Sequence, residues 1–182
     1  MRHINFIRSI LLIISTVLIT SCSNNSAMKP EDFKNKEPRL IIEEYLAGNV
    51  KAWGVLQNRS GKVTRQFSAD LNGSWDGKQL ILKEKFNWDD GEIQNREWTI
   101  NKIDENNYEG TAGDVVGKAK GFSYGPAFKF EYVLLVPVKG KEMKITFDDR
   151  IFKQDDKVAI NRATMTKFGF KVAELTVVFV KD

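Results

Sequence analysis

The chain has 182 residues, enough for one domain with a sizeable core, and carries 28 Lys and Arg against 24 Asp and Glu. A formal net charge of +4 is too small an excess to indicate nucleic-acid binding. One histidine and one cysteine exclude an internal disulfide and a His/Cys zinc site.

Arg2 and Arg8 give a basic start, and residues 10–19 form a short apolar run. A run of about 10 to 12 apolar residues is too short to span a bilayer but suits the hydrophobic part of a signal peptide. It closes on Ile19-Thr20-Ser21-Cys22, which resembles the lipobox of bacterial lipoproteins. The resemblance implies that residues 1–21 are a signal peptide and that Cys22 becomes the lipidated N-terminus, bearing acyl chains such as palmitate. Several chains on one residue hold a protein at a membrane stably, where one alone binds marginally. Ser23, where an inner-membrane retention signal has Asp, points to the periplasmic face of the outer membrane.

Cleavage removes two of the 28 basic residues (Arg2 and Arg8), none of the 24 acids, and His3, leaving 26 against 24. A mature chain without His and with its one Cys acylated excludes Ser-His-Asp and Cys-His nucleophilic machinery. No phosphate loop, dinucleotide fingerprint or EF-hand loop is present. Catalytic residues, metal ligands, cofactors and a nucleic-acid partner are therefore not expected.

Residues 22–37 are polar, contain Pro30, and read as a flexible tether. Residues 38–182 form the domain. Pro38 to Ala47 reads as one short N-terminal helix, with Leu40, Ile41 and Tyr45 on one face and Gly48 as its C-cap. From Lys51 onward the period is two. The clearest stretch is Lys62 to Trp75, where Val63, Phe67, Ala69, Leu71 and Trp75 alternate with polar residues. Asp76-Gly77 predicts a two-residue hairpin that pairs Trp75 with Lys78 and puts Leu80, Leu82, Phe86 and Trp88 on the same face. Asp89-Asp90-Gly91 predicts a three-residue loop, pairing Trp88 with Glu92, Glu84 with Arg96 and Leu82 with Trp98. Further strands are expected at about Tyr108–Asp114, Gly117–Tyr124, Ala127–Val138, Glu142–Lys153, Lys157–Lys167 and Phe170–Lys181, with a first one at Ala52–Asn58. About ten strands in local order with short turns indicate an all-β, antiparallel, up-and-down lipocalin-like barrel.

Charges on apolar faces mark the candidate ligand-binding site. Glu84 and Arg96 oppose each other inside. If Asp155-Asp156 is a two-residue turn, Asp149, on the Met143/Ile145/Phe147/Ile151 face, opposes Arg162 between Ile160 and Thr164. Arg65 is left over near Trp88, an inward excess of one positive charge. A buried unpaired charge costs several kcal/mol, so Arg65 needs water, a partner or a ligand carboxylate; stacking on Trp88 is the alternative. Gly110, Ala112, Asp114, Gly117, Ala119 and Gly121 place small residues on two neighbouring faces, which leaves room inside or permits tight curvature. Trp53, Trp75, Trp88 and Trp98 all fall on strands and read as core. Asp89-Asp90 and Asp155-Asp156 read as solvated turn residues rather than metal ligands.

From about Leu40 to Phe179 the chain resembles a bacterial lipoprotein family, domain of unknown function 3833. The residues that carry the likeness are Ala52-Trp53-Gly54, Asp90-Gly91-Glu92 with Gln94, Arg96 and Trp98, and Gly110-Thr111-Ala112 with Asp114, Val115, Gly117, Ala119 and Gly121. Asp148-Asp149, Asn161-Arg162-Ala163, Met165 and Lys167-Phe168-Gly169 complete it. The resemblance implies an envelope lipoprotein. Family members tend to be encoded near fatty-acid-modifying enzymes, which points toward lipid. The expectation is an outer-membrane lipoprotein that binds or carries a fatty acid or other lipophilic ligand. The alternatives are a filled barrel that docks an envelope partner and, third, an enzyme using paired carboxylates or Arg-assisted chemistry.

Overall fold

The structure is a computed structural model and describes residues 29–138 and 140–182. Cys22, the signal peptide and most of the expected tether lie outside the described residues. Ten strands follow in order: β1 (Gly48–Asn58), β2 (Val63–Trp75), β3 (Gln79–Trp88), β4 (Ile93–Lys102), β5 (Asn107–Thr111), β6 (Ala119–Tyr124), β7 (Ala127–Val138), β8 (Lys141–Lys153), β9 (Val158–Lys167) and β10 (Phe170–Lys181). Each pairs antiparallel with its sequence neighbour, and β1 closes on β10, from Val50 opposite Lys181 to Asn58 opposite Ala173. The fold is the expected lipocalin-like up-and-down barrel. Closure pairs every strand with a neighbour on each side, although short β5 and β6 cover only part of β4 and β7. The period-two pattern sets the faces: Phe67, Ala69 and Leu71 are buried while Gln66, Ser68, Asp70 and Asn72 face water. The ten strands of the closed barrel, and the core they enclose, lie among the described residues.

The N-terminal helix is shorter than expected. Only one turn forms, α1 (Ile42–Tyr45), after a 3₁₀ turn at Pro30–Phe33. The backbone before it bonds to the barrel instead of to itself: the Leu40 N–H donates to the Gly125 carbonyl, and the Ser123 hydroxyl donates to the Leu40 carbonyl. Leu40, Ile42, Tyr45 and Leu46 are all buried, so the segment plugs one end of the barrel rather than laying one helical face on it. Glu43 is buried with them and accepts hydrogen bonds from Lys102 and from the Tyr108 hydroxyl. Burial pushes its carboxyl up, but these donors outweigh burial and hold it below the usual range.

The registers explain which side chains point inward. β3 and β4 pair as expected, with Glu84 opposite Arg96 and Leu82 opposite Trp98. Between β2 and β3 the turn lies one residue later than expected. Asp76 closes the loop and accepts the N–H groups of Lys78 and Gln79, so Trp75 pairs with Leu80 rather than Lys78. That two-residue shift of partners keeps every side chain on its expected face.

The β8–β9 hairpin corrects the expectation. Asp155 accepts the N–H groups of both Lys157 and Val158, and the loop has three residues rather than two. Asp149 then pairs with Ala163, and Arg150 with Arg162. A one-residue slip turns the whole strand over. Ala159, Asn161 and Ala163 face inward, and the Arg162 side chain is 69% exposed, 3.7 Å from Glu174.

Small residues do not hollow the barrel out. A Cβ on Gly110 would stand 2.5 Å from the Phe130 ring, and one on Gly121 2.9 Å from the Phe128 ring. These glycines admit two aromatic rings of β7 into the core. Trp98 is core as expected, but Trp53 lies on the outer wall, half exposed.

Candidate functional site

Halfway along the barrel, polar side chains interrupt the apolar lining. Glu84 of β3, Arg96 of β4, Tyr132 of β7, Asp149 of β8 and Asn161 of β9 share a cavity of about 110 Å³ with Leu82, Phe86, Trp98, Phe130 and Leu175. Its walls are otherwise aliphatic and aromatic.

Arg96 spends its donors on Asp114, through Nε at 3.1 Å and Nη2 at 2.8 Å. Asp114 lies on the connection between β5 and β6, which are too short to fill the wall. That connection bonds to β7 instead: the Leu135 N–H donates to the Asp114 carbonyl, and the Val116 N–H to the Val133 carbonyl. The Arg96–Asp114 pair thus seals a gap in the sheet.

Glu84 stands across from Arg96 at 3.8 Å, and the two side chains are 11% and 13% exposed. Glu84 Oε2 is buried and accepts no hydrogen bond among the described residues. Burial pushes the Glu84 carboxyl up to about 7, against the opposing pull of Arg96 and with a further push from Asp149. Asp149 is also raised by burial, moderated by hydrogen bonds from the Asn161 amide and the Tyr132 hydroxyl. Burial first, then the Asp149 charge, lifts the Tyr132 hydroxyl well above its ordinary value.

Of the residues singled out in the sequence, Glu84, Arg96 and Asp149 therefore converge on one cavity. Arg162 does not reach it. Arg65 and Trp88 meet at the open mouth, with the guanidinium 4.0 Å over the indole ring. Arg65 is not the unpaired interior cation expected. It binds Asp90 and Glu92, each at 2.8 Å, because the β3–β4 turn brings both carboxylates over the rim. The balance of charge is reversed as well: Arg96 faces Glu84, Asp149 and Asp114. Asp114, Tyr132 and Asn161 were missed. Tyr132 carries the inward alternation of Phe128, Phe130 and Leu134 and could have been found; Asn161 required the correct loop length.

Two other arrangements do not compete with this cavity. No group of three or more metal-ligating side chains forms among the described residues. A hollow of about 780 Å³ on the outer wall is bordered by solvated side chains such as Lys51, Asp70, Lys83 and Glu97.

The barrel recurs among solved structures. An S-type phycobiliprotein lyase from Guillardia theta superposes with a TM-score of 0.58 at 10% identity, over 77% of this chain and 90% of that one. A protein of unknown function of the DUF3598 family from Nostoc punctiforme superposes with a TM-score of 0.60 at 14% identity, over 81% of this chain and 51% of that one. Identities this low show a common fold. No curated protein matches the sequence. Residues 16–181 match the family model described as Protein of unknown function (DUF3833), and the chain belongs to that family.

Proposed function

We infer that this is an envelope lipoprotein, processed at residues 1–21 and anchored through Cys22, whose barrel binds a small lipophilic molecule by its polar end. The observation that carries the reading is Glu84 Oε2, a buried acceptor without a hydrogen-bond partner among the described residues, facing a cavity with mostly apolar walls. Leaving a buried acceptor unmet costs about 1–3 kcal/mol, and more for a charged group. A ligand that donates a hydrogen bond removes that cost.

The charge balance also sets the polarity of the ligand. With Glu84, Asp149 and Asp114 against one arginine, a carboxylate is the wrong end group. A hydroxyl, amide or ammonium fits. This replaces the fatty-acid carboxylate expected from Arg65. A cavity of about 110 Å³ holds the polar end and a few carbons, well short of the roughly 300 Å³ at which ligand pockets begin. The rest of a longer ligand lies toward the open mouth, past Phe86 and Trp88.

The same volume favours the second reading, a filled barrel that docks an envelope partner. Mass spectrometry of lipophilic molecules that copurify with the chain starting at Lys29 separates the two. A stoichiometric amphiphile with a donor-bearing end supports binding. A chain that carries none on purification, and takes up none when offered, supports the filled barrel.

A further inference from the structure

Phe168 is the most exposed large apolar residue described, 89% accessible, at the tip of the β9–β10 hairpin. Its φ is +52°, followed by Gly169 at +80°. Two consecutive positive φ values define the tight turn that ordinarily takes Asn or Asp before Gly, and a bulky aromatic there is a strained choice. Strain retained at a fully exposed position serves neither packing nor the turn, which points to a function for the ring. Phe170, 71% accessible, follows it, and Val172 is exposed behind.

Cations surround this tip. The Lys167 ammonium lies 5.3 Å from the Phe168 ring, and Lys171 is exposed beside Phe170. The neighbouring β1–β2 hairpin is next to it in the barrel, and Asn58, Arg59, Ser60 and Val172 line one surface hollow between them. That hairpin adds exposed Arg59, Lys62 and Val63. Three acids of the same end are already engaged, Asp90 and Glu92 by Arg65 and Glu174 by Lys171 at 3.3 Å, while Asp89 and Glu142 on the neighbouring turns are exposed.

We propose that the β9–β10 and β1–β2 hairpins dock the open end of the barrel onto an anionic lipid bilayer, with Phe168 and Phe170 inserted at the headgroup level. Aromatic tips backed by Lys and Arg match the two attractions that hold proteins at such interfaces, apolar burial and charge. A protein partner fits less well. Two narrow hairpin tips offer little of the roughly 800 Å² per side that a stable protein interface needs, whereas insertion needs only depth. This contact is independent of what the cavity holds. It would turn the mouth toward lipid, so that a lipophilic ligand need not cross water.

The test uses the chain starting at Lys29, which has no lipid anchor and contains the whole barrel, sedimented with vesicles. Vesicles of mixed phosphatidylcholine and phosphatidylglycerol should bind it. Pure phosphatidylcholine should bind it more weakly, by about fivefold for each cation in contact. Phe168→Asn suits the positive φ, so the barrel should melt at the native temperature or above, while vesicle affinity falls by about tenfold or more. Failure of the native chain to bind the anionic vesicles overturns the proposal. So does equal binding by Phe168→Asn, since the ring would then take no part.

Discussion

Arg96 binds Asp114 at 2.8 Å and leaves Glu84, its partner across the β3–β4 ladder, at 3.8 Å. The interior arginine thus holds the barrel wall together first and neutralises the cavity second. Asp114→Asn weakens that seal, while Glu84 still faces the guanidinium. Arg96→Met removes the one cation among three acids. Breaking a buried pair by deleting one partner costs about 3–5 kcal/mol, so Arg96→Met should lose that much and Asp114→Asn less. Urea unfolding of both variants checks the order. Equal small losses would show that the cluster is hydrated and contributes little.

Glu84 gives the barrel a pH dependence of defined sign. Its folded carboxyl titrates at about 7 against an ordinary 4.5. A raised folded value means that the stabilising contribution is full below pH 4.5 and is lost as pH rises toward 7. A gap of about 2.5 units corresponds to roughly 3 kcal/mol. Glu43, held low by its donors, acts in the opposite sense, and Asp149, raised by burial, in the same sense as Glu84; both are common to the native chain and Glu84→Gln. Glu84→Gln should therefore match the native chain near pH 5 and exceed it at pH 8 by up to about 3 kcal/mol, because Arg96 retains Asp114. Denaturant titrations at the two pH values decide it, and a constant difference between the chains would show that Glu84 does not titrate in this range.

The β8–β9 register can be read from two neighbouring residues. Asn161 donates to the buried Asp149, while Arg162 lies outside beside Glu174. Asn161→Ala should cost about 1–3 kcal/mol, since it leaves the buried Asp149 with the Tyr132 hydroxyl but without the Asn161 amide donor. Arg162→Ala should stay within about 0.5 kcal/mol. The reverse order in thermal melts would restore the alternative register, with Arg162 inside.

Much of this barrel is legible in the sequence, and the exceptions have physical causes. Strict alternation fixes which face of β2 and β3 is buried, and Gly91, at a φ of +87°, fixes the loop that sets Glu84 against Arg96. Alternation cannot count loop residues at Asp155-Asp156, where one side chain captures two backbone N–H groups and lengthens the turn. It cannot place side chains that sit on turns, so Asp90 and Glu92 reach Arg65 unannounced. Nor does a row of small residues reveal what fills it, because Phe128 and Phe130 arrive from β7.

The proposed anchor, Cys22, lies outside the described residues. If Cys22 carries the lipid, Cys22→Ala should be misprocessed or released from the membrane fraction. A Cys22→Ala protein that loses its signal peptide and still fractionates with membranes would move the anchor elsewhere, with the β9–β10 tip the first place to look.

The most direct measurement is a titration of the chain starting at Lys29, at pH 8, with three amphiphiles of one chain length ending in an alcohol, an amide or a carboxylate. The alcohol and the amide should bind saturably and more tightly than the carboxylate. Glu84→Leu should weaken the amide by about tenfold or more, the scale of one hydrogen bond to a charged group. Tightest binding by the carboxylate, or no saturable binding by any of the three, would contradict a donor-seeking cavity at Glu84.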